Sequence, residues 1–259
     1  LEAHELTDET KFLFTERSDG AYRVWEDPIP GNFYLIAVDT AKGLAHGDAS
    51  CASVLHVTSK GVRPYLDLVA QYHAQINPLD YAEEILKLAI HYNSALVVIE
   101  LTGGYGEATM LRLRKDFFYW NIFRDEGKSS NPSIKFDYRY GVETTGSSKP
   151  FMVAALQQFV RDGSINIPCE ATISEMVAFE QERSKTGLNV RYRGVGGAHD
   201  DRVMSLVIGA ATAISSQVLN SAIFFSMDKE AKKPVDKIYE GEWKKIHEEL
   251  GESGKPLDL

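Results

Sequence analysis

FYLIAVD (residues 33–39) is a near-continuous apolar run that closes on an acid. Such a run without polar alternation fits a strand buried on both faces, as in the middle of a sheet covered by helices. ALVVIEL (95–101) is a second run of the same kind, and it carries Glu100 where the first carries Asp39. In an open α/β sheet, functional groups gather beyond the carboxyl ends of parallel strands. If these two strands are parallel neighbours, Asp39 and Glu100 stand side by side.

Working outward, CASVLHV (51–57) and RPYLDLVAQ (63–71) read as two more strands, joined as hairpins. Pro78 opens LDYAEEILKLAIHY, which places Tyr81, Ile85, Leu88 and Tyr92 on one helical face. GGYGEATMLRLRKD (103–116) starts a further helix, and FYWNIF (118–123) reads as a strand. Residues 124–148 are charged and rich in Ser, Gly and Asn, which suits a long excursion around a hairpin. KPFMVAALQQFVRDG (149–163) is a helix stopped by Gly163. SINIP (164–168) is a short strand, ATISEMVAFEQER (171–183) an amphipathic helix, and LNVRYRG (188–194) a strand or hairpin arm. This order predicts an α/β fold: a mixed central β-sheet, a three-strand meander followed by βα units, flanked by helices on both faces.

Residues 1–30 end in EDPIPG and read as an N-terminal arm or linker. Residues 31–215 form the domain. Residues 216–259 are rich in Lys and Glu and read as a weakly ordered tail, save for a candidate terminal helix at 240–250. The chain begins without Met, as a piece of a longer protein would. No basic region followed by an apolar one marks a signal peptide, and no apolar run reaches the roughly 20 residues of a membrane span. Cys51 and Cys169 read as reduced thiols, neither at metal-ligand spacing.

A third acidic position lies in GVGGAHDDRVMSLVIGAATAIS (194–215), where Asp200 and Asp201 open a long apolar helix. One acid there is ordinary capping; two in succession before such a helix ask for more. With Asp39 and Glu100, they would complete a cluster of carboxylates. Like charges that close raise one another's pKa values, and a divalent cation relieves the repulsion. Oxygen donors of this kind suit Mg²⁺ or Mn²⁺, and two such ions hydrolyse phosphodiesters. Asp48 reads as a turn residue and His199 as structural or supporting. Lys149, at a helix start, reads as a solvated lysine, though one that could touch phosphate.

The net charge of −9 gives no pointer to nucleic acid. The excess acid is concentrated in residues 1–30, however, with 8 acids against 3 bases, and bound cations would neutralise part of the remainder. IELTGGYGEAT imitates a dinucleotide fingerprint, but Thr109 stands at the third glycine position and Glu100 would face the pyrophosphate. GxxxxGK[ST], GxSxG and HExxH do not occur.

YLIAVDTAKGLAHGDASCASVLHV, ALVVIELTGGYGEATMLRLR and GGAHDDRVMSLVIGAA together resemble the C-terminal nuclease domain of the large terminase subunit of tailed bacteriophages. GVETTGSSKPFMVAALQQFVRDGSINI is similar to that family's segment between its second and third acidic motifs. The resemblance covers about 31–215. It implies an RNase H-like fold and a metal-dependent endonuclease that cuts concatemeric viral DNA during genome packaging. It implies that Asp39, Glu100 and Asp200 hold a two-metal Mg²⁺ or Mn²⁺ site, with Asp201 as a further ligand or a supporting acid. Double-stranded DNA, an N-terminal ATPase domain of the same protein, the portal and the small terminase subunit would be partners, without a membrane, in the host cell cytoplasm. Competing readings are a RuvC-like or other RNase H-like nuclease, and an inactive docking module for portal or small subunit. An actin-like ATPase would need glycine-rich phosphate loops, and the loop 40–49 has only Gly43 and Gly47.

Overall fold

The computed structural model describes residues 20–44, 47–60, 63–125, 139–183, 190–194 and 199–226. The expectations for residues 1–19, for the tip of the 124–148 excursion and for a helix at 240–250 lie outside these residues.

The sheet begins with β1 (Tyr22–Val24), β2 (Tyr34–Asp39), β3 (Ser50–Lys60) and β4 (Arg63–Ala74). β2, β3 and β4 form the antiparallel meander. α1 (Pro78–His91) follows, capped by the Asn77 side chain on the amide of Leu79 with Pro78 just inside the helix. β5 (Leu96–Ile99) then pairs with β2 in parallel, Val38 opposite Ile99. The sequence-predicted adjacency of these two strands is therefore found. α2 (Tyr105–Lys115) crosses back, and β6 (Arg124–Asp125) and β7 (Arg139–Tyr140) form the base of a small hairpin.

The remaining elements are α3 (Ser148–Arg161), β8 (Ile165–Asn166), α4 (Glu170–Ala178), β9 (Phe179–Arg183), β10 (Val190–Gly194), α5 (Asp201–Ala213) and α6 (Ser216–Ser226). β8 pairs in parallel with β4, and β9 with β10 makes a separate hairpin. The main sheet is six-stranded and mixed, in the order β1-β4-β3-β2-β5, with β8 on β4.

Several expectations are corrected. β1 lies within the stretch read as a linker, because Tyr22, Arg23 and Val24 pair with β4 and Tyr22 stacks edge-on against Tyr72. FYWNIF is no strand; it makes a single bridge, Ile122 to Val97. The helix read across ATISEMVAFEQER ends at Ala178, and its second half is β9; pairing with β10 outweighs the helical pattern. The tail after Ser215 starts as a helix, because Val218 and Ala222 of α6 are buried in the core.

Two cores cover the sheet. α1 and α2 pack Tyr81, Ile85, Leu88, Met110 and Leu113 onto Ile36, Val38, Val97 and Ile99. α3, α4, α5 and α6 cover the other face, against Leu35, Ala37, Leu55, Leu68, Leu96 and Val98. Each buried strand thus sends alternate residues to opposite cores. Among the described residues no single helix is long and apolar enough to cross a membrane.

Candidate metal centre

Strand alternation decides where the acids point. In β2, Leu35 and Ala37 face the α5 core while Ile36 and Val38 face the α1 core, so Asp39 falls on the α5 side. In β5, Leu96 and Val98 face α5 and Val97 and Ile99 face α1, so Glu100 falls on that side too. The amide of Glu100 donates to Val38 O at 3.0 Å, extending the parallel ladder by one step. Register carries the row further. Asp39 is opposite Cys51, and Cys51 is opposite His73. At the carboxyl end of β2 and β5, His73, Cys51, Asp39 and Glu100 therefore form one row across four strands, all on one face.

α5 lies over this row. Asp201, Ser205 and Gly209 follow one another at intervals of four and share a helical face. Gly209 meets the sheet where it is apolar; a Cβ there would come within 2.5 Å of Leu55 Cδ1 and 3.1 Å of Ala37 Cβ. One turn earlier, Ser205 Oγ lies 2.6 Å from Ser53 Oγ and 3.4 Å from Cys51 Sγ. Another turn earlier, Asp201 reaches the row itself, with Oδ2 3.4 Å from His73 Nε2. The loop before β3 adds the Ala49 amide, which donates to the same oxygen at 3.2 Å.

Asp200 is the N-cap residue of α5, yet its side chain makes no capping bond. Glu175 of α4 does the capping instead. Its Oε2 accepts from the amides of Arg202 at 2.9 Å and Val203 at 3.4 Å. A carboxylate from another helix thus satisfies the amides of the first turn, and the Asp200 side chain takes no part in the cap. Glu100 is held from the far side by Thr144, whose amide donates to Oε1 at 3.2 Å and whose hydroxyl also donates to it. The chain after β5 turns tightly there; a Cβ on Gly106 would fall 1.7 Å from Glu100 O. This close approach is the reason for the glycine that imitates a dinucleotide motif.

The electrostatics show how strongly the acids feel one another. Burial pushes the Asp39 carboxyl up to about 8, and Glu100, Asp201 and Asp200 push it the same way, against Lys149. Asp200 is also raised, first by burial and then by Asp201, Asp48 and Glu175, with Lys149 opposing. The four sequence-predicted acids therefore share one field, and Lys149 is the cation that both Asp39 and Asp200 sense. As the side chains stand, no three His, Cys, Asp or Glu residues among the described residues converge closely enough to enclose a metal ion. The donor set nonetheless suits a hard divalent cation: it is all carboxylate oxygen, and it has one lysine to balance it.

Asp48 is exposed and pairs with His199 at 3.9 Å; His199 also stands 4.0 Å from Asp201. His73, Thr144, Glu175 and Arg202 belong to this region and escape the sequence reading. Glu175 had a signal, as a buried acid on an amphipathic helix; His73 is visible only once the register of β3 and β4 is known.

No protein-family model matches the chain, and no curated protein matches it. Solved structures do share its fold. The crystal structure of the large terminase nuclease from thermophilic phage G20c is 22% identical, with 79% of this chain and 94% of that one covered and a TM-score of 0.56. The same nuclease with bound magnesium is 22% identical, with 79% and 93% covered and a TM-score of 0.57. The Thermus phage P74-26 large terminase nuclease domain is 23% identical, with 76% and 87% covered and a TM-score of 0.55. The class is thus a mixed α/β, RNase H-like fold. Within it, the chain is similar to the nuclease domains of phage large terminases, as its acidic motifs foretold.

Proposed function

We propose that this chain is a divalent-metal-dependent DNA endonuclease that cuts concatemeric viral DNA during genome packaging. The observation that carries the reading is the row ending in Asp39 and Glu100, with Asp200 and Asp201 brought over it by α5. The fold likeness supports it, as do structures of the G20c nuclease with bound cobalt and bound magnesium.

Asp39, Glu100, Asp200 and Asp201 would hold Mg²⁺ or Mn²⁺. A pair of such ions supplies an activated water and charge stabilisation for a leaving 3′ oxygen. The chain's own residues do the rest. Thr144 fixes the Glu100 carboxylate, and the Ala49 amide fixes that of Asp201. Lys149 is half-buried at the start of α3 and offers a positive charge for a phosphate of the bound strand. Double-stranded DNA is the substrate. An ATPase domain of the same protein, the portal and the small terminase subunit are the further partners, in the host cytoplasm.

The test is cleavage of plasmid DNA with Mn²⁺ or Mg²⁺, stopped by EDTA. Asp39→Ala or Asp200→Ala abolishes cleavage while the circular dichroism spectrum stays native. Full activity in either variant, with contaminating nuclease excluded, overturns the assignment.

A further inference from the structure

Behind Asp201 runs a chain of contacts that the acidic motifs do not announce. Glu175 Oε1 accepts from Arg202 Nη1 at 2.5 Å. Arg202 Nη2 lies 2.9 Å from His73 Nδ1. A guanidinium has donors and no acceptor, so Nδ1 must present its lone pair, and the ring proton sits on Nε2. That Nε2 is buried without a formed hydrogen bond. Its carboxylate neighbour is Asp201 Oδ2, at 3.4 Å.

We propose that His73 is a positioning residue for Asp201, oriented by Glu175 through Arg202, and is not itself a metal ligand. This rests on reading the acids as a metal centre. A histidine at the rim of a carboxylate cluster is ordinarily the first choice for a nitrogen ligand. Here the bond from Arg202 consumes the Nδ1 lone pair and leaves a proton on Nε2. His73 can give Asp201 an N–H and cannot give a metal a lone pair. Glu175 serves twice, since its other oxygen caps α5; the helix that carries Asp201 and the side chain that aims it are fixed by one carboxylate. Outer groups of this kind tune metal sites by about 10–100-fold in affinity or activity.

The tautomer is tested directly on the metal-free protein by long-range ¹H–¹⁵N correlation of the histidine rings. His73 is expected with its proton on Nε2; a proton on Nδ1 overturns the proposal. Mn²⁺ binding by titration calorimetry gives the second readout. His73→Ala should weaken it 10–100-fold and lower kcat with KM for DNA unchanged, while His73→Gln, which keeps an N–H donor, recovers most of the loss. Arg202→Ala should reproduce the His73→Ala loss, and the double variant should be no worse than either single one. Unchanged Mn²⁺ affinity in His73→Ala, alongside lost binding in Asp39→Ala, sinks the positioning role and leaves the metal centre standing. Absence of Mn²⁺ binding in the unaltered protein sinks the metal centre and the positioning role with it.

Discussion

The two faces of the sheet are built from the same strands and have opposite chemistry. On the α1 side, the polar tips of the tyrosines are met singly or not at all: Tyr92 donates to Glu26 O at 2.9 Å and Tyr119 to Ala95 O at 2.5 Å, while the Tyr81 hydroxyl has no partner among the described residues. On the α5 side, polar atoms run through the interior. Gln71 donates to Ser53 at 3.0 Å, Ser53 lies against Ser205, and Thr172 donates to Gln71 at 3.1 Å. The seam leads from α4 under α5 to the row of His73, Cys51, Asp39 and Glu100. One face maximises apolar burial; the other gives up some of that burial to hold charges in place at one edge.

The sharpest break of this contrast is expected at the acids. Asp39→Ala should cut metal-dependent cleavage by about a thousandfold or more, since metal-bound transition states draw several kcal/mol from their ligands. Stability should hold or rise, because a raised carboxyl is removed. Leu88→Ala, on the opposite face, should do the reverse. It costs about 2–5 kcal/mol in a urea titration, and Mn²⁺ affinity of the folded fraction stays within a factor of two or so.

Next in size is Gly106→Ala. Its Cβ would overlap the Glu100 carbonyl, so the backbone must move, at about 1–3 kcal/mol or more. Cleavage should fall with stability here, unlike in Leu88→Ala, because the displaced residue is an acid of the site. Equal losses of activity in both variants would erase the distinction between the faces.

How much of this was legible beforehand follows from which forces are local. The pairing of β2 with β5 was readable because two unbroken apolar runs each end on an acid, and burial on both faces leaves few other arrangements. The acids at 39, 100, 200 and 201 were readable because carboxylates are out of place beside such segments. The capping of α5 by Glu175 was not, since a cap supplied from another helix leaves no mark on the helix it caps. β9 was misread because FEQER has helical propensity and its partner strand begins only at Val190. β1 was missed because three residues within a proline-bearing stretch carry no periodicity.

pH gives an independent test. With Asp39 raised to about 8 in the folded, metal-free protein and near its ordinary value when unfolded, the folded state binds the extra proton between about pH 4 and 8. This contribution to stability is complete below pH 4 and is lost as pH rises through 8. Melting temperature without metal should therefore fall across that window, and Asp39→Asn should flatten the slope. A slope unchanged in Asp39→Asn would show that neither burial nor the neighbouring acids raise the Asp39 carboxyl. The smallest effect is expected of Tyr81→Phe. Its hydroxyl is buried with no hydrogen bond, so removal should raise stability by about 1 kcal/mol.

α5 enters the chain after every strand of the main sheet, yet its first turn supplies Asp200 and Asp201. During synthesis the sheet can collapse with Asp39 and Glu100 already at its rim, but the remaining pair emerges from the ribosome only afterwards. Whatever chemistry the cluster performs is thereby withheld from incomplete chains. The order of the elements acts as a built-in delay on the assembly of the cluster.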